Sequence, residues 1–338
     1  MNREKDIFKE LKFAQNKINS WYVREGNKMM NIISRPYNSP VLFGESIFEV
    51  LKKNKSVIYI TNGYCENQEL VDYINGTFGE IKHYYIKNFN ESLEKGVLYF
   101  VNSSNLDVLK EKVELIIYDD ITCFSNWSKL QVRERAERVY QHTDKMVFYS
   151  IETVFDNIVT IEVGGILNSN PIVEPRFITT RIDLKEDIPD ILSDYFTWFK
   201  ENKRKVIVHA PDKKWADRIY KLYKEDIPTF SGVKIMRFSE QDEIVKFEQQ
   251  FSSDKEPVMI VTEYIGEIFK VLGNLDIIVI AAHYSRYDYK KIVFLCGKVG
   301  YREMNQGEMI LVSREVTEAM EKAKEITRGL NKIVWEKQ

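Results

Sequence analysis

The sequence predicts an α/β protein of two tandem domains, each a doubly wound parallel sheet, and three observations carry that expectation. Short runs rich in β-branched and aromatic residues recur along the chain without polar alternation, the pattern of strands covered on both faces. Helix-like stretches separate successive runs, as crossovers between parallel strands require. The pattern breaks at Gly164-Gly165-Ile166-Leu167-Asn168-Ser169-Asn170-Pro171 and then restarts; two glycines and a proline there oppose continuation of either a helix or a central strand.

In chain order, residues 1–27 read as a basic lead helix. Through residue 35 the chain carries eight basic side chains (Arg3, Lys5, Lys9, Lys12, Lys17, Arg24, Lys28, Arg35) against four acidic ones (Glu4, Asp6, Glu10, Glu25). Phe8, Leu11, Ile18 and Trp21 fall at roughly helical spacing, so the basic side is either a solvated face or a contact for phosphate. The first domain, 28–165, holds strand-like runs at 29–34, 57–61, 97–102, 115–118, 146–150 and 158–163. A linker follows over 166–175. The second domain, 176–338, holds runs at 206–210, 259–262, 277–282 and 309–313. Its helix over 213–223 is capped by Pro211-Asp212, and a last helix over 315–328 aligns Val316, Ala319, Met320, Ala323 and Ile326 before Gly329 ends it.

Composition excludes several classes. The 338 residues, 44% hydrophobic, suffice for a core in each domain and rule out a peptide hormone or disulfide-knotted module. With 49 basic and 51 acidic side chains the net charge is −2, so any anionic partner must be held locally. Cys65, Cys123 and Cys296 show no CxxC spacing and the four histidines do not cluster, which argues against a zinc site. The start is charged, and no apolar run approaches the ~20 residues that span a bilayer. No membrane insertion is expected, and the chain reads as cytoplasmic with reduced thiols.

Two tandem α/β lobes place a ligand in the cleft between them, at the carboxyl ends of the strands. RecA-like motors, sugar-nucleotide transferases and two-lobe small-molecule binders all fit that outline. The stretches Met259-Ile260-Val261-Thr262-Glu263, Gly273-Asn274-Leu275-Asp276-Ile277-Ile278-Val279-Ile280-Ala281-Ala282-His283 and Val293-Phe294-Leu295-Cys296-Gly297-Lys298-Val299-Gly300-Tyr301-Arg302 decide among them. Together they resemble the end of a superfamily 2 helicase, where a strand closes on Thr-Thr and a Gln-x-x-Gly-Arg-x-Gly-Arg helix supplies arginine fingers. The chain is more similar still to the ComFA proteins of bacterial DNA uptake. Glu174-Pro175-Arg176-Phe177-Ile178 and Val206-Ile207-Val208-His209-Ala210-Pro211 match that family's second lobe. Leu115-Ile116-Ile117-Tyr118-Asp119-Asp120 and Met146-Val147-Phe148-Tyr149-Ser150-Ile151-Glu152-Thr153 match its Asp-Glu box strand and Thr-Ala-Thr strand. The resemblance covers residues 28–330 and implies two tandem RecA-like lobes of a single-stranded DNA translocase, with ATP and Mg²⁺ as cofactors and DNA-uptake proteins as partners.

The positions that would carry catalysis depart from that family. Its phosphate loop, Gly-x-Gly-Lys-Thr, falls on Pro36-Tyr37-Asn38-Ser39-Pro40, which reads as an ordinary surface loop. Two prolines remove N–H donors that would wrap phosphate, and Ser39 stands where the lysine belongs. Tyr118 replaces the Mg²⁺-holding carboxylate and Asp119 the glutamate that orients water. Asp119 and Asp120 either hold a cation or, for Asp120, cap the next helix. In the finger helix Phe294, Lys298 and Tyr301 replace the glutamine and both arginines, and Arg302 comes one position late, a turn of about 100°. No cofactor is therefore expected; ATP and Mg²⁺ enter only if the chain is an active motor.

A binding surface is what this pattern leaves. The resemblance implies that Thr61 and Thr262 grip the phosphates of a strand; the alternative is that each hydroxyl caps its strand end. Thr61-Asn62-Gly63 lacks the family's arginine, and Glu263 adds a charge that repels phosphate. Basic and aromatic residues interleave at His283-Tyr284-Ser285-Arg286-Tyr287-Asp288-Tyr289-Lys290-Lys291, and Lys203-Arg204-Lys205 and Lys213-Lys214 flank the run at 206. His283, Arg286, Lys290, Lys291, Lys213 and Lys214 are the candidate single-stranded DNA contacts. The family's four-cysteine amino-terminal zinc module has no counterpart here. The expectation is a degenerate helicase-like protein that binds nucleic acid or regulates, against an active translocase or an interaction protein without nucleic acid.

Overall fold

A computed structural model describes residues 2–87, 93–109, 111–166, 170–242, 256–266, 275–299 and 307–336. It divides into two compact units, one of Met1–Pro171 with Leu330–Gln338, the other of Ile172–Gly329.

The first unit is a seven-stranded parallel sheet of β1 (Met29–Ile33), β2 (Val57–Thr61), β3 (Lys82–Ile86), β4 (Val97–Asn102), β5 (Val113–Asp119), β6 (Thr143–Ser150) and β7 (Val159–Glu162), in the order β3-β4-β2-β5-β6-β1-β7. Its helices are α1 (Asn2–Val23), α2 (Gly44–Lys52), α3 (Gln68–Thr77) and α4 (Lys129–Val139). The second unit is a six-stranded parallel sheet of β8 (Arg176–Thr179), β9 (Lys205–His209), β10 (Lys234–Phe238), β11 (Val258–Thr262), β12 (Leu275–Ile280) and β13 (Met309–Ser313), in the order β10-β11-β9-β12-β13-β8. To this unit belong α5 (Asp190–Glu201), α6 (Lys213–Lys221), α7 (Tyr289–Lys298) and the part of α8 (Glu318–Glu336) up to Gly329, the rest of α8 being counted with the first unit. This is the tandem doubly wound architecture the sequence predicts.

The apolar runs form the inner strands, and those at β2, β4, β9, β11, β12 and β13 are buried along their whole length. Edge strands β3, β8 and β10 were not among the expected strands. Each has only one neighbouring strand and few fully buried positions, none in β3, Ile178 alone in β8, and Met236 and Phe238 in β10, so charged residues such as Lys82, Arg176 and Arg237 interrupt the apolar signal.

Helix boundaries differ from expectation in two places. In α1 the buried stripe is Ala14, Ile18 and Trp21, whereas Phe8, expected on that face, is 59% exposed. The carbonyls at the end of α1 are satisfied by Lys145, whose ammonium reaches Trp21, Arg24 and Asn27 at 3.4, 2.6 and 2.8 Å. Helix α8 runs through Gly329 instead of ending there. A mid-helix glycine costs about 1 kcal/mol, and burial of Leu330, Ile333 and Val334 just beyond it offsets that cost.

One buried ion pair ties the second sheet at the amino ends of β9 and β12. Asp276, fully buried, accepts from Arg204 Nε and Nη2, both at 2.6 Å, from the Tyr195 hydroxyl at 2.8 Å and from the Glu308 N–H at 2.7 Å. Gly307 is required beside it, because a Cβ there would lie 2.4 Å from the Leu275 carbonyl oxygen and 2.9 Å from Asp276 Oδ1. Removing one member strands a buried cation, so Asp276→Ala should lower unfolding stability by about 3–5 kcal/mol. Urea denaturation monitored by circular dichroism measures this; a loss below about 1 kcal/mol would show the pair to be dispensable.

Candidate functional site

All strands of a parallel sheet present their carboxyl ends to one edge, which is where the motif positions of the first unit gather. The loop that leaves β1 is buried, not the surface loop expected: Ser34, Arg35, Pro36, Asn38, Ser39 and Pro40 are all withdrawn from solvent. Asn38 organises it. Its Nδ2 donates to Ser34 Oγ and to the Gly164 carbonyl, both at 2.7 Å, while its Oδ1 accepts from the N–H groups of Ser39 at 3.0 Å and Ile166 at 2.9 Å.

The backbone N–H groups of Ser34, Tyr37, Asn38, Ser39 and Val41 are committed inside the protein. Ser34 N–H donates to the Ser150 carbonyl, Tyr37 N–H to that of Ile121 and Asn38 N–H to that of Arg35, at 2.9, 2.9 and 3.4 Å. Ser39 N–H goes to Asn38 Oδ1 and Val41 N–H to Ser39 Oγ, at 3.0 and 3.3 Å. Pro36 and Pro40 have no N–H. A phosphate nest works by offering such groups to an anion, and this loop offers them to itself. The Ser39 hydroxyl, expected to stand where the resembled family has a lysine, donates to the Glu69 carboxylate.

The carboxylates at the end of β5 are likewise occupied. Asp119 Oδ1 accepts from the N–H groups of Ile121 and Thr122 at 2.9 and 3.0 Å, and Oδ2 from the Tyr59 hydroxyl at 2.7 Å and from Thr122 Oγ1. A carboxylate has about four lone-pair positions, and all are used. Burial pushes the Asp119 carboxyl above the usual range while these donors pull it back. The next helix, α4, is capped by Ser128 and not by Asp120 as expected, because Ser128 directly precedes it and forms a capping box with Gln131; Asp119 closes only the turn after β5. Asp120 instead accepts from Asn62 Nδ2 at 3.2 Å. The hydroxyl of Tyr118 is buried without a hydrogen-bond partner, and burial drives its pKa upward, so it offers no anionic oxygen to a metal ion. Among the described residues no three histidine, cysteine, aspartate or glutamate side chains converge as a metal site.

The two strand-end threonines behave alike. Thr61 Oγ1 accepts from the Gly63 N–H at 3.0 Å, and Thr262 Oγ1 from the Tyr264 N–H at 2.9 Å. Each closes a local turn in its own unit.

In the second unit, Glu263 does not stand as an unpaired repulsive charge. Arg237 pairs with it and with Asp217, the latter at 2.9 Å. Arg286 donates to the carbonyls of Pro211 and Glu263, the second at 2.8 Å. Lys291 pairs with Asp288 at 3.0 Å and donates to the Arg286 carbonyl at 3.1 Å. Lys290 is 3% exposed. Lys213 and Lys214 stay exposed on the first turn of α6, whose N-cap Asp212 accepts from the Trp215 N–H at 2.9 Å. His283 accepts from the Arg314 N–H at 3.4 Å, and burial holds its pKa below the ordinary value. Phe294 is fully buried, and Lys298 donates to the Gly266 carbonyl at 3.2 Å. Tyr301 and Arg302 lie outside the described residues.

Sequence reasoning missed Asn38, Glu69 and His209. Ser39-Pro40, a capping serine followed by a proline at the first position of a helical turn, was a legible sign that this loop closes on itself. Nothing local marks Glu69, which arrives from α3. His209 ends β9 on the face opposite the core of Val206 and Val208, and its Nδ1 is buried without a hydrogen-bond partner. Burial, reinforced by Lys298 and Arg286, lowers its pKa to about 3.

No protein-family model matches the chain, and no curated protein does. Solved structures do. Saccharomyces cerevisiae Dbp5 bound to RNA and ADP BeF3 is similar with a TM-score of 0.53 at 12% identity, over 96% of this chain and 91% of that one. Helicase Lhr of Mycobacterium smegmatis, bound to ssDNA and AMP-PNP, is similar with a TM-score of 0.51 at 12% identity, over 95% of this chain but only 48% of Lhr. Likeness at this identity shows the fold alone: two tandem RecA-like domains.

The histidine gives a pH test. Because the folded pKa of His209 lies below the unfolded value near 6.5, the unfolded chain takes up the proton first. Its contribution to stability is constant above pH 6.5 and falls as pH drops below it, by up to about 1.4 kcal/mol per pH unit. Urea unfolding followed from about pH 7 down to about pH 5 should show a shallower decline for His209→Gln than for the natural chain; parallel profiles would mean that His209 titrates normally.

Proposed function

We propose that this chain is a ComFA-like, helicase-fold protein that has lost nucleotide hydrolysis and acts as a single-strand-binding or regulatory relative of a DNA translocase. The observation that carries this reading is the phosphate loop, whose backbone donors go to the Asn38 side chain, Ser39 and neighbouring carbonyls rather than facing a ligand. Loss of nucleotide chemistry follows from three absences together: the lysine, the magnesium ligand and a finger at Lys298. An arginine finger alone contributes about 10³–10⁵ in rate. Nucleic acid as the partner class is supported by the fold shared with Dbp5 and Lhr, and by Lys213 and Lys214 exposed together at the start of α6. Cytoplasmic placement and DNA-uptake proteins as partners belong to the same proposal.

A second reading, an interaction protein without nucleic acid, is favoured by one set of facts. Arg286 and Lys291 are half-buried and engaged within the second unit and Lys290 is buried, which leaves three of the expected cations less open to a phosphate.

Two experiments separate these readings and test the first. Mg²⁺-ATP should leave the melting temperature unchanged, whereas a ligand at 100 times its Kd would stabilise by about 2.7 kcal/mol; a clear upward shift defeats the proposed loss. A labelled single-stranded DNA titrated at two salt concentrations should show affinity falling with salt, by about 0.7 in log K per log unit for each phosphate neutralised. Lys213→Glu with Lys214→Glu should weaken that binding and flatten its salt dependence. Absent or salt-independent binding selects the interaction-protein reading.

A further inference from the structure

We infer that the second unit carries an aromatic platform, Trp215 with Tyr284, that stacks an unpaired base of a single-stranded nucleic acid. The inference rests on the nucleic-acid reading above and adds how the strand is recognised: through a base face as well as through phosphate.

Three connections on the carboxyl side of the second sheet build the platform. Trp215 lies on the first turn of α6, after β9. Tyr284 lies in the turn after β12, held by its own N–H to the Ala281 carbonyl at 3.1 Å and by the Tyr287 N–H to its carbonyl at 3.0 Å. Arg314, after β13, fixes the His283 ring beside Tyr284 through its backbone N–H. The Trp215 and Tyr284 rings meet edge to face, with centroids 5.9 Å apart and planes at 77°, and the His283 and Tyr284 centroids are 5.2 Å apart. An edge-to-face pair has not used up both ring faces on each other. Tyr284 is 40% exposed, whereas Trp215 packs against the core of the unit and carries Lys185 over its ring, so Trp215 is the fixed buttress and the Tyr284 ring is the face that reaches solvent.

The charges around it select the occupant. Lys185 holds its ammonium 4.8 Å from the Trp215 ring centroid, and Lys213, Lys214 and Arg314 stand exposed on the same connections. Of the neighbouring acids, Asp212 is committed to capping α6, and Glu315 faces His283. Rings flanked by cations suit a flat, uncharged base joined to phosphates. A duplex buries its base faces in stacking, so an unpaired strand is the form that fits.

The test compares a thymidine oligonucleotide of about 15 residues, within the usual site size, with an abasic sugar-phosphate strand of equal length, each titrated against the full chain. The natural chain should prefer the thymidine strand by about tenfold or more, the order expected for one stacked base. Tyr284→Ala should abolish the preference while leaving affinity for the abasic strand unchanged, and Tyr284→Phe, which keeps the ring, should retain it. Equal affinity of the natural chain for both strands overturns the platform and leaves nucleic-acid binding standing. A preference that survives in Tyr284→Ala overturns it too. Binding of neither strand overturns both this inference and the reading beneath it.

Discussion

The first unit depends on the carboxamide of Asn38. It joins the loop after β1 to Ser34 and to the segment at Gly164 and Ile166, and its four hydrogen bonds are made in a place from which water is excluded. An unmet amide in such a place would cost about 1–3 kcal/mol, so the loop is held in its closed form by the same groups that a nucleotide-binding loop would turn toward phosphate. The RecA-like framework does not require an open loop; it requires only that the backbone between β1 and α2 be satisfied. Here side chains do what a bound anion does elsewhere.

The same substitution of internal partners for external ones recurs at other strand ends. Asp119 spends its lone pairs on the turn after β5 and on Tyr59. Thr61 and Thr262 each close a turn two residues on. Arg286 ties the loop after β12 to the carbonyls of Pro211 and Glu263. What stays open to solvent is on the outer turns of the second unit: Lys213, Lys214 and the Tyr284 ring.

The architecture was legible because the inner strands are buried on both faces, and few environments besides a covered parallel sheet select unbroken apolar runs so short. Strands β3, β8 and β10 escaped because edge strands carry charged or polar residues on positions that are not buried, which erases the run. The chemistry of the loop was half legible. Pro36 and Pro40 announced two missing N–H donors, but the closure itself depends on Gly164, Ile166 and Glu69, brought there by the fold from far along the chain. Charge counting overestimated the basic surface for the same reason: Lys290 and Arg286 look alike in sequence to Lys213, and only packing tells a cation facing solvent from one that is buried or tied to a carbonyl.

Hydrogen–deuterium exchange over residues 34–41, followed with and without Mg²⁺-ATP at millimolar concentration, tests the closed loop most directly. A loop whose N–H groups are already taken by Asn38, Ser39 and neighbouring carbonyls should be protected before nucleotide is added and unchanged after it. Amides that exchange freely in the absence of ATP and become protected in its presence would contradict the account.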